Sequence, residues 1–414
     1  MVIFKPFKAL RPAVGYADKV AALPYDVMTS EEARVMAGDK PLSFLHIDRA
    51  EIDLPPDTDP YSPEVYARAK ENLAGQVAEG VFAQDDAPHF YVYRLTMKGR
   101  PQAGLVGCAS IDDYMEGTIK KHELTRADKE EDRVRHVDTL DANTGPIFLA
   151  CRGNEGFSGF LARMMEGEKA YDFTAEDGVR HEVWVLDEAV NHEARAIFEG
   201  LDSLYIADGH HRCASAARVG KMRREQHPGW KGEEEFGFFL AVVFPEEQLR
   251  IMDYNRVVTD LNKLSIRSFL EKLNRLFLIS PIAGDGPAIP GKKHEFGMYL
   301  DGAWYLLTLL PGVVDELDPV ASLDVSVLQD KVLSPILGID DPRTCKRIDF
   351  IGGIRGLGEL ERRVNTDMKL AFAMYPTSMS ELFDIADRGL LMPPKSTWFE
   401  PKLRSGLFIH KLSE

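Results

Sequence analysis

YIADGHHRCASA, residues 205–216, joins an apolar run to an alanine-rich one through an acid, a glycine, two histidines and an arginine. Three apolar letters before Asp208 read as the end of a buried strand, and HHRCASAARVGKMRREQ reads as a helix. Gly209 supplies a position that takes a positive φ or lets another group approach the backbone. A helix N-terminus exposes N–H groups and a partial positive charge, so it attracts anions. His210, His211 and Arg212 placed there make a phosphate cradle, with Arg212 offering bidentate donors. Asp208 is positioned to hold a metal, to cap the helix or to take a proton. The plainer alternative is a capped helix carrying surface histidines. Alanines 214, 216 and 217 let the helix lie close to its sheet.

Outward from this stretch, strands and helices alternate. HFYVYRLTMKG and AGLVGCASIDDYM read as paired strands, HEVWVLDEAV as a strand, NHEARAIFEGL as a helix, and EFGFFLAVVFP as a strand buried on both faces. Toward the N-terminus a helix is expected from Thr29 or Ser30, which are good caps. PLSFLHIDRAEIDLPPD reads as a strand running into a loop. Val65, Ala69, Leu73 and Val77 mark a helix that ends near Gly80. FLEKLNRLFLI reads as helical, and HEFGMYLDGAWYLLTLL as a hairpin about Asp301-Gly302. The expected class is α/β or α+β, a mixed sheet with flanking helices. Loosely bounded segments fall at 1–150, 151–260 (with the DGHHR turn), 261–320 (a smaller peripheral unit) and 321–414, and one composite domain is an open alternative.

In the 414 residues acidic side chains outnumber basic ones 66 to 50, a formal charge of −16. Sequence-independent nucleic-acid binding needs a basic surface, so that class is set aside; a local cationic pocket for a small phosphorylated ligand is not. Cys108, Cys151, Cys213 and Cys345 are widely spaced, so neither a zinc ribbon nor a disulfide framework is suggested. No signal-like segment and no membrane-spanning run of about 18 apolar residues is seen, and a cytoplasmic location is expected.

Further polar clusters accompany the turn. Lys120-Lys121-His122-Glu123 precedes Thr125 and Arg126; Asn143-Thr144-Gly145-Pro146 leads into IFLA; Lys395-Ser396-Thr397 follows two prolines and lacks the glycines of a P-loop. Pro24-Tyr25-Asp26-Val27 sets an acid before a helix, where it serves as a cap or as a functional carboxylate. His46 alternates with Phe44, and Arg256 in NRVV is placed for an anion or a salt bridge.

Together PFKALRP, LPYDV, SFLHI, KKHELT, NTGPIF, YIADGHHR, NRVV and MPPKSTWFEPKLRSGL resemble the bacterial and archaeal proteins of domain-of-unknown-function family 1015, over nearly the whole chain. DGHHR is also similar to the signature of the free serine kinases of the ParB-like/sulfiredoxin-like superfamily. The resemblance implies a ParB/serine-kinase-like core, with ATP or ADP and Mg²⁺ as donor and the hydroxyl of free L-serine or a similar metabolite as acceptor. It implies phosphate contacts from Gly209, His210, His211 and Arg212, with Asp208 near the metal or the substrate. Lys121, His122, Asn143, Thr144, Lys395, Ser396 and Thr397 are assigned to the same nucleotide; Tyr25, His46 and Arg256 to the acceptor; and Asp208, Glu123 or Asp26 to catalysis. Sulfiredoxin chemistry needs a cysteine inside the motif, and Cys213 falls just after it. ParB-type DNA clamping lacks both the charge and the helix-turn-helix pattern.

Two other classes are weighed against a kinase. A metal-dependent hydrolase would use His210, His211, His122 and Asp208, although adjacent histidines diverge and rarely share an ion. A sensor would bind the nucleotide or phosphometabolite without turnover. Oligomeric state is not read from the sequence.

Overall fold

The computed structural model describes residues 1–284 and 286–413. The chain divides into two compact units: Met1–Leu249 with Pro401–Glu414, and Arg250–Glu400. This differs from the four sequence segments, because the strands of 1–150 and 151–260 interleave in one sheet.

That sheet, in the first unit, has nine strands. From one edge they run Ile119–Lys120, Leu204–Asp208, Ile147–Cys151, Phe238–Pro245, Arg100–Ser110, Tyr91–Met97, Arg180–Val185 and Tyr171–Thr174, with Phe4–Lys5 also paired to Arg100–Ser110. Leu204–Asp208 pairs parallel with Ile119–Lys120 and antiparallel with Ile147–Cys151, which in turn pairs parallel with Phe238–Pro245. The sheet is therefore mixed, as expected. Every residue of Phe238–Pro245 is buried, the pattern of a strand covered on both faces. The helices Glu155–Met164, Asn191–Glu199 and His210–Gln226 contribute Phe157, Phe198, Cys213, Ala216 and Ala217 to one apolar core with the strands. All four cysteines are free, and burial pushes the Cys213 thiol well up, which leaves it unreactive.

A second apolar cluster gathers Ser30–Ala37, Leu45–Asp48 and Pro63–Ala78. Thr29 and Glu32 form a reciprocal capping box at Ser30. Val65, Ala69 and Leu73 are buried, whereas Val77 is 39% exposed and Gln76 is buried instead. Steps of four residues overshoot a helical turn by about 40°, so three steps carry Val77 about 120° off the stripe. PLSFLHID does not form a strand: Leu45–Asp48 is one helical turn, followed by a 3-10 turn at Ala50–Asp53. Residues 401–413 return to this unit, where His410–Lys411 pairs with Ala142–Asn143.

The second unit holds a six-stranded antiparallel sheet, in the order Phe277–Pro281, Ala303–Leu309, Glu295–Leu300, Leu370–Met374, Tyr254–Val258, Ile348–Gly352. The hairpin at Asp301-Gly302 forms as expected. FLEKLNRLFLI splits, its helix ending at Leu273 and its tail forming the strand from Phe277. Among the described residues no helix is long and apolar enough to cross a membrane.

Candidate functional site

Leu204–Asp208 ends in an irregularity: Ile206 faces Leu149 and Asp208 faces Phe148, so Ala207 is the extra residue of a bulge. Bulges re-aim the side chains beside them. Gly209 follows with φ 91° and ψ 32° and stands at the N-cap of His210–Gln226. The Arg212 guanidinium folds back over it; a Cβ at Gly209 would meet Arg212 Nε at 3.1 Å. Gly209→Ala is thus expected to cost about 1–2 kcal/mol for a left-handed L-residue, and to push Arg212 off its seat. Urea unfolding reads the first effect and nucleotide titration the second.

Arg212 Nη1 donates to the Pro146 carbonyl at 2.6 Å, and among the described residues its buried Nε has no hydrogen-bond partner. Gly145 makes room for it: a Cβ there would stand 3.0 Å from Ser405 Oγ and 3.5 Å from Arg212 Nη1. The NTGPIF, DGHHR and KLRSGL motifs therefore meet at one point. Asp208 does not cap the helix through a later N–H. Its carboxylate accepts from the Gly209 N–H at 3.0 Å and from Lys402 Nζ at 3.1 Å. Burial alone would raise the Asp208 carboxyl; Lys402 and Arg212 outweigh it and hold it near about 2. A value below the unfolded 3.8 means the pair's stabilising share is full above that pH and is lost as pH falls through about 2. Lys402→Met is expected to move acid unfolding to higher pH, as followed by circular dichroism.

The two histidines diverge. His211 Nε2 accepts the Arg126 N–H at 3.0 Å, which fixes a neutral tautomer. Burial lowers the His211 pKa, and nearby Asp26 opposes that. His210 is 6% exposed and turns the other way, its ring edge-on to His122 with centroids 4.5 Å apart. Among the described residues His210 Nε2 has no hydrogen-bond partner, and the buried ring of His122 has at most the Ile206 carbonyl. Burial holds His122 near about 4 against the pull of Asp208 and the nearby Ile206 carbonyl, and it holds His210 well below its ordinary value. His122, Glu123 and His210 bring one ligand atom each within 4.8 Å of one another. Lys121 is exposed and close enough to act on His210.

On the other side of Arg212 lies a cavity of about 20 Å³ lined by Tyr25, Asp48, Arg133, His136, Thr144 and Arg212, among others, room for about one water. It adjoins a cavity of about 340 Å³ through the shared Asp48, Arg133 and His136. Tyr25 is buried under the Arg133 guanidinium, 4.0 Å from its ring centroid. Arg133 Nε and Tyr66 Oη both donate to Asp132, each at 2.9 Å, and Thr144 Oγ1 donates to Asp48 at 2.8 Å. Asp26 is exposed on the 3-10 turn Tyr25–Val27 and is not the cap of the following helix; Thr29 is. Two larger cavities of this unit, about 910 and 680 Å³, hold none of the residues of the turn.

Other expected residues have different surroundings. Asn143 Oδ1 accepts from Leu240 N and faces His410 Nδ1, so its amide ties strands together. His46 is not a core strand residue: its Nδ1 pairs with Asp53 at 2.7 Å. Arg256, Lys395, Ser396 and Thr397 belong to the second unit. There Arg256 is buried, donates to the carbonyls of Tyr254 and Lys395, and is held down to about 10 by burial. Ser396 Oγ donates to the Pro393 carbonyl, and Thr397 is half-buried. Sequence reasoning missed Asp48, Arg133, His136 and Lys402. Arg133 and His136 stand three apart on the helix Ala127–Leu140 and so share a face, a spacing legible in the charged run.

A search of curated proteins returns no match. Among solved structures, the chain is similar to a free serine kinase variant in complex with AMP (13% identity, 72% of this chain and 90% of that one, TM-score 0.35). It is similar to a conserved hypothetical protein from Pyrococcus furiosus (13%, 73% and 93%, 0.33) and to C-terminally truncated SbnI from Staphylococcus aureus (13%, 71% and 82%, 0.38). These likenesses are distant in both sequence and superposition. The family described as protein of unknown function DUF1015 matches residues 4–326, which take in the LPYDV, SFLHI, KKHELT, NTGPIF and YIADGHHR motifs, and the chain belongs to that family.

Proposed function

We propose that this protein is a small-molecule kinase that moves a phosphoryl group from ATP or ADP to the hydroxyl of free L-serine or a similar zwitterionic metabolite. The observation that carries the reading is Arg212, a guanidinium with a buried, unpartnered Nε beside a left-handed glycine at the start of a 17-residue helix. An orphaned donor of that kind calls for a polar ligand, and the fork of a guanidinium matches phosphate. Phosphoryl transfer asks mainly for positioning and charge neutralisation. Arg212 and the helix N-terminus supply these on an otherwise acidic protein.

The acceptor fits the adjoining cavity. Its volume of about 340 Å³ lies at the small end of ligand sites. Its lining carries both signs, Asp48, Glu51 and Asp132 against Arg49, Lys129 and Arg133, which suits an amino group and a carboxylate on one molecule. Asp26, close to His211 and next to Tyr25, is assigned to take the hydroxyl proton. Magnesium fits the described donors poorly: two of the three clustered ligand atoms at the turn are imidazole nitrogens, and magnesium takes oxygen. No step is therefore routed through it.

A survey of acceptors tests this reading. Loss of the terminal phosphate of ATP or ADP is measured with L-serine, other hydroxyl amino acids, sugars and glycerol, with Mg²⁺ or Mn²⁺ present. Consumption that depends on a zwitterionic acceptor is expected. Nucleotide binding without acceptor-dependent consumption would replace the kinase with a sensor.

A further inference from the structure

Ile119–Lys120 and Leu204–Asp208 run parallel, with Ile119 opposite Leu204 and Lys120 opposite Tyr205. Parallel neighbours end on the same side of a sheet. His122 and His210 each follow one of these two neighbouring strands, and their rings meet edge-on with centroids 4.5 Å apart. Both are nearly inaccessible, at 2% and 6% exposure; among the described residues His210 Nε2 has no hydrogen-bond partner, and the Ile206 carbonyl beside His122 serves at most one of its two buried nitrogens. Buried polar atoms are rarely left so in a folded protein. The neighbouring Glu123 carboxylate lies within 4.8 Å of the imidazole ligand atoms.

We propose that His122, Glu123 and His210 form a site for one divalent transition-metal cation of the zinc or cobalt kind. Two imidazoles and one carboxylate make a three-ligand set that leaves a position open, and imidazole selects zinc, iron or nickel over magnesium. A tetrahedral ion with bonds of about 2.0–2.1 Å needs its ligands closer than the present spacing. Glu123, half-buried, is the carboxylate that would complete the set. The ligands come from two different elements, which removes the difficulty of adjacent histidines: His211 is spent on the Arg126 N–H, and Asp208 on Lys402 and the Gly209 N–H. Where the ion would act rests on the kinase reading, in which the open position faces nucleotide phosphate oxygens; the binding site itself does not.

The test uses the full-length protein, stripped of metal and free of nucleotide. It is titrated with Co²⁺ while the visible ligand-field bands are recorded, and then competed with Zn²⁺. One equivalent of Co²⁺ is expected, displaced by Zn²⁺, with intensity typical of four or five ligands. Glu123→Gln and His210→Asn are expected to weaken binding by more than the ~10–100-fold that loss of an outer-shell partner costs. His192→Ala, an exposed histidine on Asn191–Glu199, is expected to leave it unchanged. Sub-stoichiometric binding, or equal affinity in Glu123→Gln with its circular dichroism intact, would overturn the proposal. A parallel titration with ADP in EDTA separates the two readings. ADP binding without Co²⁺ binding sinks the metal site alone; Co²⁺ binding without ADP binding, with or without metal, sinks the kinase alone.

Discussion

Arg212→Lys is expected to weaken ADP binding by roughly 10–150-fold in calorimetric titration, with little change in stability. A charge-assisted hydrogen bond is worth about 1.5–3 kcal/mol, and each 1.4 kcal/mol is tenfold in affinity. Lysine keeps the charge but loses the planar fork, so it cannot hold the Pro146 carbonyl through one arm while presenting other donors to a phosphate. Arg212→Ala removes the charge as well and is expected to lose more. Because Gly209 is covered by this side chain, Gly209→Ala is expected to reproduce part of the affinity loss by displacing the guanidinium while leaving its chemistry intact. Affinity for ADP within a few-fold of wild type in Arg212→Lys would place the phosphates elsewhere.

Asp26→Asn is expected to lower kcat by about 10²–10⁴-fold, the usual range for loss of a general base, and to leave ADP affinity nearly unchanged. The side chain is exposed on its 3-10 turn, where its charge acts on His211 and Tyr25. Asparagine preserves size and hydrogen bonding but does not accept the proton. Steady-state rates against acceptor concentration, beside an ADP titration, separate the two effects. An unchanged kcat would remove Asp26 and leave Glu123 as the next carboxylate, whose own substitution is already expected to act through metal affinity.

The strand and helix around DGHHR were legible because their signals are local: a short apolar run, a glycine, and an alanine-rich helix. Gly209 at φ 91° is what a strand-to-helix turn of this kind demands. SFLHID was misread as a strand because a single helical turn carries no periodicity to tell it from one. That error hid Asp48, which faces Thr144, behind His46, which faces Asp53. Lys402 lay in a stretch already singled out, yet its pairing with Asp208 spans 194 residues of sequence and is fixed only by the return of the C-terminal segment. The meeting of His122 with His210 likewise needed the edge strand Ile119–Lys120 to pair with Leu204–Asp208, which no local pattern carries.

The most direct measurement is mass-spectrometric detection of O-phosphoserine after wild-type protein, Arg212→Ala and Asp26→Asn are each incubated with L-serine and either ATP or ADP. Divalent cations would include Mg²⁺, Mn²⁺ and Zn²⁺. O-phosphoserine formed by the wild type and lost in both variants is the predicted result. No phosphorylated acceptor with either nucleotide and any of the cations, from protein that binds ADP, would contradict phosphoryl transfer to serine at this turn.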